Sequence, residues 1–189
     1  MQTIIINGSH RKDGNTFFLC EKLKEEIKDA EIINLNEIKI SPCKACSSCP
    51  EKCVQDDEMV EIYKKLESAD AIILATPTYF ANVSGLMKNF MDRTIFLRRH
   101  NKRLSNKICA GIVAGGNRNG GQEFTINAIH NWALIHNMII ANDGLPDPHF
   151  GVISVSHTRE ETSAKYDDIA LKSIDNIAKR IKEIYSLTN

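Results

Sequence analysis

The chain has 189 residues, 42% of them hydrophobic, and its Lys plus Arg content equals its Asp plus Glu content at 24 each. That length and apolar content suit one globular domain, 1–189, with a substantial core, and the balanced charge supplies no bulk field for nucleic acid or an anionic membrane. The opening MQTIIINGSH lacks a basic region followed by an apolar one, and no apolar run could span a bilayer, so the expectation is a cytoplasmic protein with no membrane or nucleic-acid partner.

Thr3 to Ile6 reads as a first strand, and Cys20, Leu23 and Ile27 as the buried stripe of the helix after it. A second strand, Glu31 to Leu35, leads into a long connection, Asn36 to Asp57. Helical spacing resumes at Met59, Ile62 and Leu66, followed by a strand at Ala71 to Ala75 and a helix through Leu86, Phe90 and Met91. The basic run Arg98 to Arg103 reads as a solvated loop in preference to a patch that receives an acidic protein or a dinucleotide phosphate. Strands at Ile108 to Ala114 and Met138 to Ala141 flank a helix marked by Ile129, Trp132 and Ile135. A second long connection, Asp143 to Asp167, precedes a last helix through Ala170, Ile174, Ile177, Ile181 and Ile184. The strand runs are continuous rather than alternating, as in a parallel sheet covered on both faces. Five strands each leading towards a helix predict a doubly wound α/β sandwich.

Ligands of such a sheet sit at the carboxyl ends of its strands. After the first strand, INGSHRKDGNT gathers Gly8, Ser9, Arg11, Gly14, Asn15 and Thr16 where a helix begins, so that free amides and the helix dipole converge on a phosphate-sized spot. The plainer alternative is that Asn15 or Thr16 only caps the helix. After the third strand, ATPTYFANVSGLMKNFMDR places Pro77, Thr78, Tyr79, Phe80 and Asn82 at the edge, where an aromatic pair could bracket a flat ring or serve as core or interface hydrophobes. After the fourth, AGGNRNGGQEFT offers Gly115 and Gly116 for close backbone approach.

In this order the three segments resemble the FMN-contacting loops of the NADPH-dependent FMN reductase-like flavoproteins. With SPCKACSSCPEKC, Ser41 to Cys53, inserted after the second strand, the chain resembles the iron-sulfur flavoproteins of that superfamily. The resemblance implies a flavodoxin-like sheet of order 2-1-3-4-5. It also implies FMN held by Ser9, Arg11, Asn15 and Thr16 at the phosphate, by Pro77, Thr78, Tyr79, Phe80 and Asn82 along the isoalloxazine, and by Gly115 and Gly116. His10 stands where the family tends to have Pro, and reads as a solvated loop residue. Lys88, Asp92 and Arg93 match a family signature on a helix, and read as a structural ion pair or interface. The resemblance further implies a homodimer or homotetramer, with residues 36–57 near a subunit boundary, and a ferredoxin-type electron donor; a small-molecule acceptor is expected beside it, its identity open.

The run SPCKACSSCPEKC holds Cys43, Cys46, Cys49 and Cys53, four of the six cysteines. In a reducing compartment clustered thiols bind metal or do redox chemistry more often than they form disulfides. The spacing C-x2-C-x2-C-x3-C resembles the bacterial ferredoxin run and points to a 4Fe-4S cluster. Cys53, after the last gap, can serve as fourth ligand with the help of a turn at Pro50, the alternative being a fourth ligand of another kind. A zinc site on the same thiolates, or thiols cycling with a disulfide, are the alternatives. Cys20 and Cys109 read as small buried hydrophobes. The function expected is electron transfer through FMN and the cluster. The other readings are an NAD(P)H-dependent FMN or quinone reductase with structural cysteines, and a redox-sensing interaction protein.

Overall fold

The computed structural model describes residues 1–49, 53–155 and 163–188. Its strands are β1 (Thr3–Asn7), β2 (Ala30–Asn34), β3 (Ala71–Pro77), β4 (Ile108–Gly115), β5 (Ile139–Ile140) and β6 (Val152–Val155). They form one parallel sheet of order β2-β1-β3-β4-β5, with β6 also on β4. The order expected from the sequence is the order observed.

Around the sheet lie α1 (Asn15–Glu26), α2 (Met59–Ser68), α3 (Gly85–Arg93), α4 (Ile95–Arg99), α5 (Gln122–Ile135) and α6 (Asp168–Thr188). Successive strand side chains point to opposite faces. Ile4, Ile6, Ile72 and Leu74 therefore pack with Ile62, Phe90 and Ile129 of α2, α3 and α5. Ile5, Ile73 and Ile112 pack with Leu19, Leu23, Ile174 and Ile177 of α1 and α6 on the other side. Cys20 and Cys109 sit fully buried in these two cores. Burial pushes both thiols up, Cys109 to about 12, so neither is a ready ligand or nucleophile.

The fifth sheet position differs from the single run expected at Met138 to Ala141. β5 pairs only with Ile108 and Cys109, and β6 takes over at Ile112 to Gly115. The residues between them include Asn142, Asp143, Gly144 and Pro146, which break a strand. β6 alternates buried and half-buried residues, as an edge strand does, and lies inside the long connection Asp143 to Asp167, where no strand was expected. The Arg98 to Arg103 run is likewise not all loop. Arg98 and Arg99 end α4, Arg98 Nε donates to the Ile135 carbonyl at 3.0 Å, and Arg103 pairs with Glu67. Among the described residues no helix is long and apolar enough to cross a membrane.

Candidate functional site

The carboxyl ends of β1, β3 and β4 are adjacent, which brings the three glycine-bearing loops together. In the first loop Ser9 and Thr16 are buried at 5% and 3% exposure, while His10 and Arg11 are exposed. Asn7 Oδ1 accepts from the Ser9 amide at 3.0 Å, and Ser9 Oγ accepts from the Arg11 amide at 3.1 Å, which folds the loop over the start of α1. Gly14 is the N-cap of α1 and no side chain caps the helix. The first intrahelical bond runs from the Phe18 amide to the Gly14 carbonyl, so the amides before it are left for an outside acceptor. That favours an anion over a plain capping role for Thr16. Asn15 differs: its side chain accepts from the Ala164 amide at 2.9 Å and reaches Ser163, tying the loop to the lead-in of α6.

The second loop makes a two-residue turn. Tyr79 and Asn82 exchange backbone hydrogen bonds at 3.0 and 3.1 Å, and Phe80 and Ala81 between them both take left-handed backbone, at φ 51° and 57°. Two side-chain-bearing residues in that conformation are strained, and such strain concentrates at ligand loops. Tyr79 is 49% exposed and Phe80 wholly so, which excludes the core role left open for them. Pro77 and Thr78 are half-buried, and the Thr78 amide donates to the Ala114 carbonyl at 2.9 Å, joining this loop to β4.

The third loop is braced by a residue the sequence reading passed over. Gln122 is buried, and its Nε2 donates to the Asn117 carbonyl at 2.5 Å. A Cβ on Gly115 would collide with that side chain, whereas one on Gly116 would meet open space. Gly121, at φ 91°, brings the start of α5 against the Phe80–Ala81 turn. Ser84 was also missed. It caps α3 by accepting from the Met87 amide at 3.1 Å, and its hydroxyl donates to the Gly8 carbonyl at 2.6 Å. These loops fit FMN: uncapped amides and buried hydroxyls for a phosphate, an exposed aromatic edge, and an open glycine for a ring.

The cysteine segment lies at the other end of α3. Cys43 and Cys46 are exposed, Cys49 is buried and Cys53 half-buried; Pro50 lies outside the described residues. Among the described residues, no three His, Cys, Asp or Glu converge to metal-binding distance. The local chemistry nevertheless suits a metal centre. Ala45 and Ser47, on either side of Cys46, have left-handed backbone at φ 48° and 62°, an alternation that turns amides towards an anion, as in iron-sulfur loops. The Ser48 amide, donating to its sulfur, holds the Cys46 thiol below its ordinary value, with the Ser48 hydroxyl and Lys44 adding to the effect.

Arg93 fastens this segment. Its side chain is 1% exposed and forks onto Asp57, with Nη1 to Oδ2 at 2.6 Å and Nη2 to Oδ1 at 3.0 Å. Nη1 also donates to the Ser41 carbonyl at 2.8 Å, and Nη2 reaches Cys53 Sγ at 3.5 Å. Asn89 Nδ2, one helical turn earlier, donates to the Ile40 carbonyl at 2.6 Å. Burial raises the pKa of Asp57, but the Arg93 hydrogen bonds and the Ser41 amide outweigh it and hold the carboxyl below its usual range. The signature residues are thus ion pairs, as expected: Lys88 with Asp92 on the surface, and Arg93 with Asp57 inside.

Residues 1–149 match the sequence model of the NADPH-dependent FMN reductase family. The chain is similar to an iron-sulfur flavoprotein of Methanocaldococcus jannaschii, 40% identical over 99% of this chain and 98% of that one. It is similar as well to an iron-sulfur flavoprotein of Methanosarcina thermophila, 38% identical over 96% and 94% of the two chains. In fold it is similar to the flavodoxin, WrbA-like protein of Agrobacterium tumefaciens, with a TM-score of 0.69 and 17% identity over 98% of each chain.

Proposed function

Because the chain belongs to the NADPH-dependent FMN reductase family and is an FMN-dependent oxidoreductase, we propose that it is an iron-sulfur flavoprotein. In this reading it exchanges electrons between a one-electron donor such as a ferredoxin and a small-molecule acceptor. Ser9, Arg11, Thr16 and the backbone of Asn15 hold the FMN phosphate. Pro77, Thr78, Tyr79, Phe80 and Asn82 would line the isoalloxazine, together with Gly115 and Gly116. Cys43, Cys46, Cys49 and Cys53 hold a 4Fe-4S cluster. FMN takes one or two electrons and the cluster takes one, so the pair can join one-electron and two-electron partners.

One observation carries this reading most strongly. Helix α3 is capped by Ser84, bonded to the phosphate loop, and ends at Arg93, bonded to the cysteine segment. A helix of nine residues spans about 14 Å, so one rigid element fixes the flavin loops relative to the thiols. The same reading takes the protein as a cytoplasmic homodimer or homotetramer, with the fully exposed Phe80 available to meet a second copy.

The test is a set of single Cys→Ser exchanges in anaerobically purified protein. Exchange at position 43, 46, 49 or 53 should lose or destabilise the cluster while FMN stays bound, because a hydroxyl poorly replaces a soft thiolate. Cys20→Ser and Cys109→Ser should leave iron and sulfide unchanged. Full iron and sulfide in Cys53→Ser would remove Cys53 from the ligand set. The family's name favours a second reading, an NADPH-dependent flavin or quinone reductase whose cysteines are structural or bind zinc. It would show rapid NADPH oxidation and no inorganic sulfide.

A further inference from the structure

We propose that Arg93 is a positioning residue for the iron-sulfur centre, setting both the placement of Cys53 and the reduction potential through the hydrogen bond from Nη2 to Cys53 Sγ. The inference rests on the proposed iron-sulfur reading and deepens it.

The guanidinium carries four terminal N-H groups, and four bonds leave them: two to the Asp57 carboxylate, one to the Ser41 carbonyl and one to the Cys53 sulfur. A side chain that is 1% exposed has no water to take a surplus donor. Arg93 is therefore held in one orientation by an anion and a carbonyl, and that orientation aims the remaining N-H at sulfur. Its partners bracket the cysteines in sequence, Ser41 before them and Cys53 and Asp57 at their end, so one planar group closes the loop. The Ser41 amide donates to Asp57 Oδ2 at 3.0 Å and completes the clasp. Tyr63 Oη, donating to the Arg93 carbonyl at 2.9 Å, anchors the helix end that carries it.

Hydrogen bonds to ligand sulfur and fixed charges near it tune such centres. A donor with full positive charge draws density from the sulfur and stabilises the reduced state. Asp57 opposes this by neutralising the guanidinium. Arg and Lys are not equivalent here, because an ammonium cannot fork onto the carboxylate and reach sulfur in the same plane.

The test measures iron, sulfide, FMN and the cluster midpoint potential by EPR-monitored titration of anaerobic holoprotein. Arg93→Lys should shift the equilibrium about tenfold towards the oxidised centre, about 59 mV lower for one electron. Asp57→Asn keeps the shape of the pair but leaves the cation uncompensated, and should shift it the opposite way. Asp92→Asn, on the neighbouring surface pair, should shift nothing. A purely structural Arg93 would lower cluster content in both variants without shifts of opposite sign. Shifts of the same sign, or none, in variants retaining cluster and FMN overturn the proposal. If both variants lose the cluster, the unaltered protein labelled with 15N-arginine decides: a 15N hyperfine coupling to the reduced centre supports the bond, and its absence overturns it. Wild-type protein with FMN but without iron and sulfide would instead overturn the iron-sulfur reading itself.

Discussion

Asp57→Ala separates a buried charge pair from its exposed neighbour on the same helix. Arg93 and Asp57 are 1% and 13% exposed, so removing the carboxylate leaves a cation in the interior with two of its donors unpaired. Breaking a buried pair by deleting one partner costs about 3–5 kcal/mol. The bonds from the Ser41 and Met59 amides, at 3.0 and 3.2 Å, are lost too, adding roughly 1 kcal/mol. The sum is a large share of a typical total stability of about 5–15 kcal/mol. Lys88 and Asp92, at 2.6 Å but 56% and 51% exposed, make an ordinary i,i+4 pair, and Asp92→Ala should cost no more than about 0.5 kcal/mol. Urea unfolding at fixed FMN, followed by far-UV circular dichroism at pH 7, compares the two variants with wild type. Because the folded-state pKa of Asp57 is depressed, its contribution is present above the unfolded value of about 3.9 and is lost as pH falls through the lower folded value. A loss below about 1 kcal/mol for Asp57→Ala, or equal losses in the two variants, would refute the reasoning.

Three further outcomes follow from the same geometry. Thr16→Ala removes a 3%-exposed hydroxyl from the start of α1 and should weaken FMN binding by about 1.5–3 kcal/mol, read by quenching of flavin fluorescence; unchanged affinity would remove Thr16 from the phosphate site. Gly121→Ala forces a Cβ into left-handed backbone at φ 91°, within 2.7 Å of Ala81 Cα, and should cost about 1–3 kcal/mol in a thermal melt together with FMN affinity. Burial, with the nearby Arg98 charge, lowers the His136 pKa to about 4. The unfolded chain therefore binds this proton more readily, and stability should fall by up to about 3 kcal/mol as pH drops from about 6.5 towards 4. In His136→Gln that part of the urea-midpoint slope between pH 7 and 5 should disappear.

The central strands were legible because Ile-rich runs buried on both faces admit little else, and the loops because glycines and hydroxyls follow those runs. The divided fifth position was not, since β5 has only two residues and the alternation of Val152 to Val155 is too short to stand out from a connection. The uncommitted contacts of the site were beyond reach for a different reason: they are long in sequence. Asn15 meets Ala164, 149 positions away, and Arg93 meets Asp57 and Cys53 across 36 and 40. The helical position of Arg93 suggested an ion pair, but nothing local names its partner or its reach to sulfur. Gln122 and Ser84 brace loops by contacts that only the packed fold creates.

The central claim is tested most directly by quantifying iron, acid-labile sulfide and FMN in one anaerobic preparation of the unaltered protein, with its absorption spectrum before and after reduction. The account predicts roughly four iron and four sulfide per FMN, with broad sulfur-to-iron absorption near 400 nm that bleaches on reduction. FMN with zinc, or FMN with neither iron nor sulfide, would contradict it.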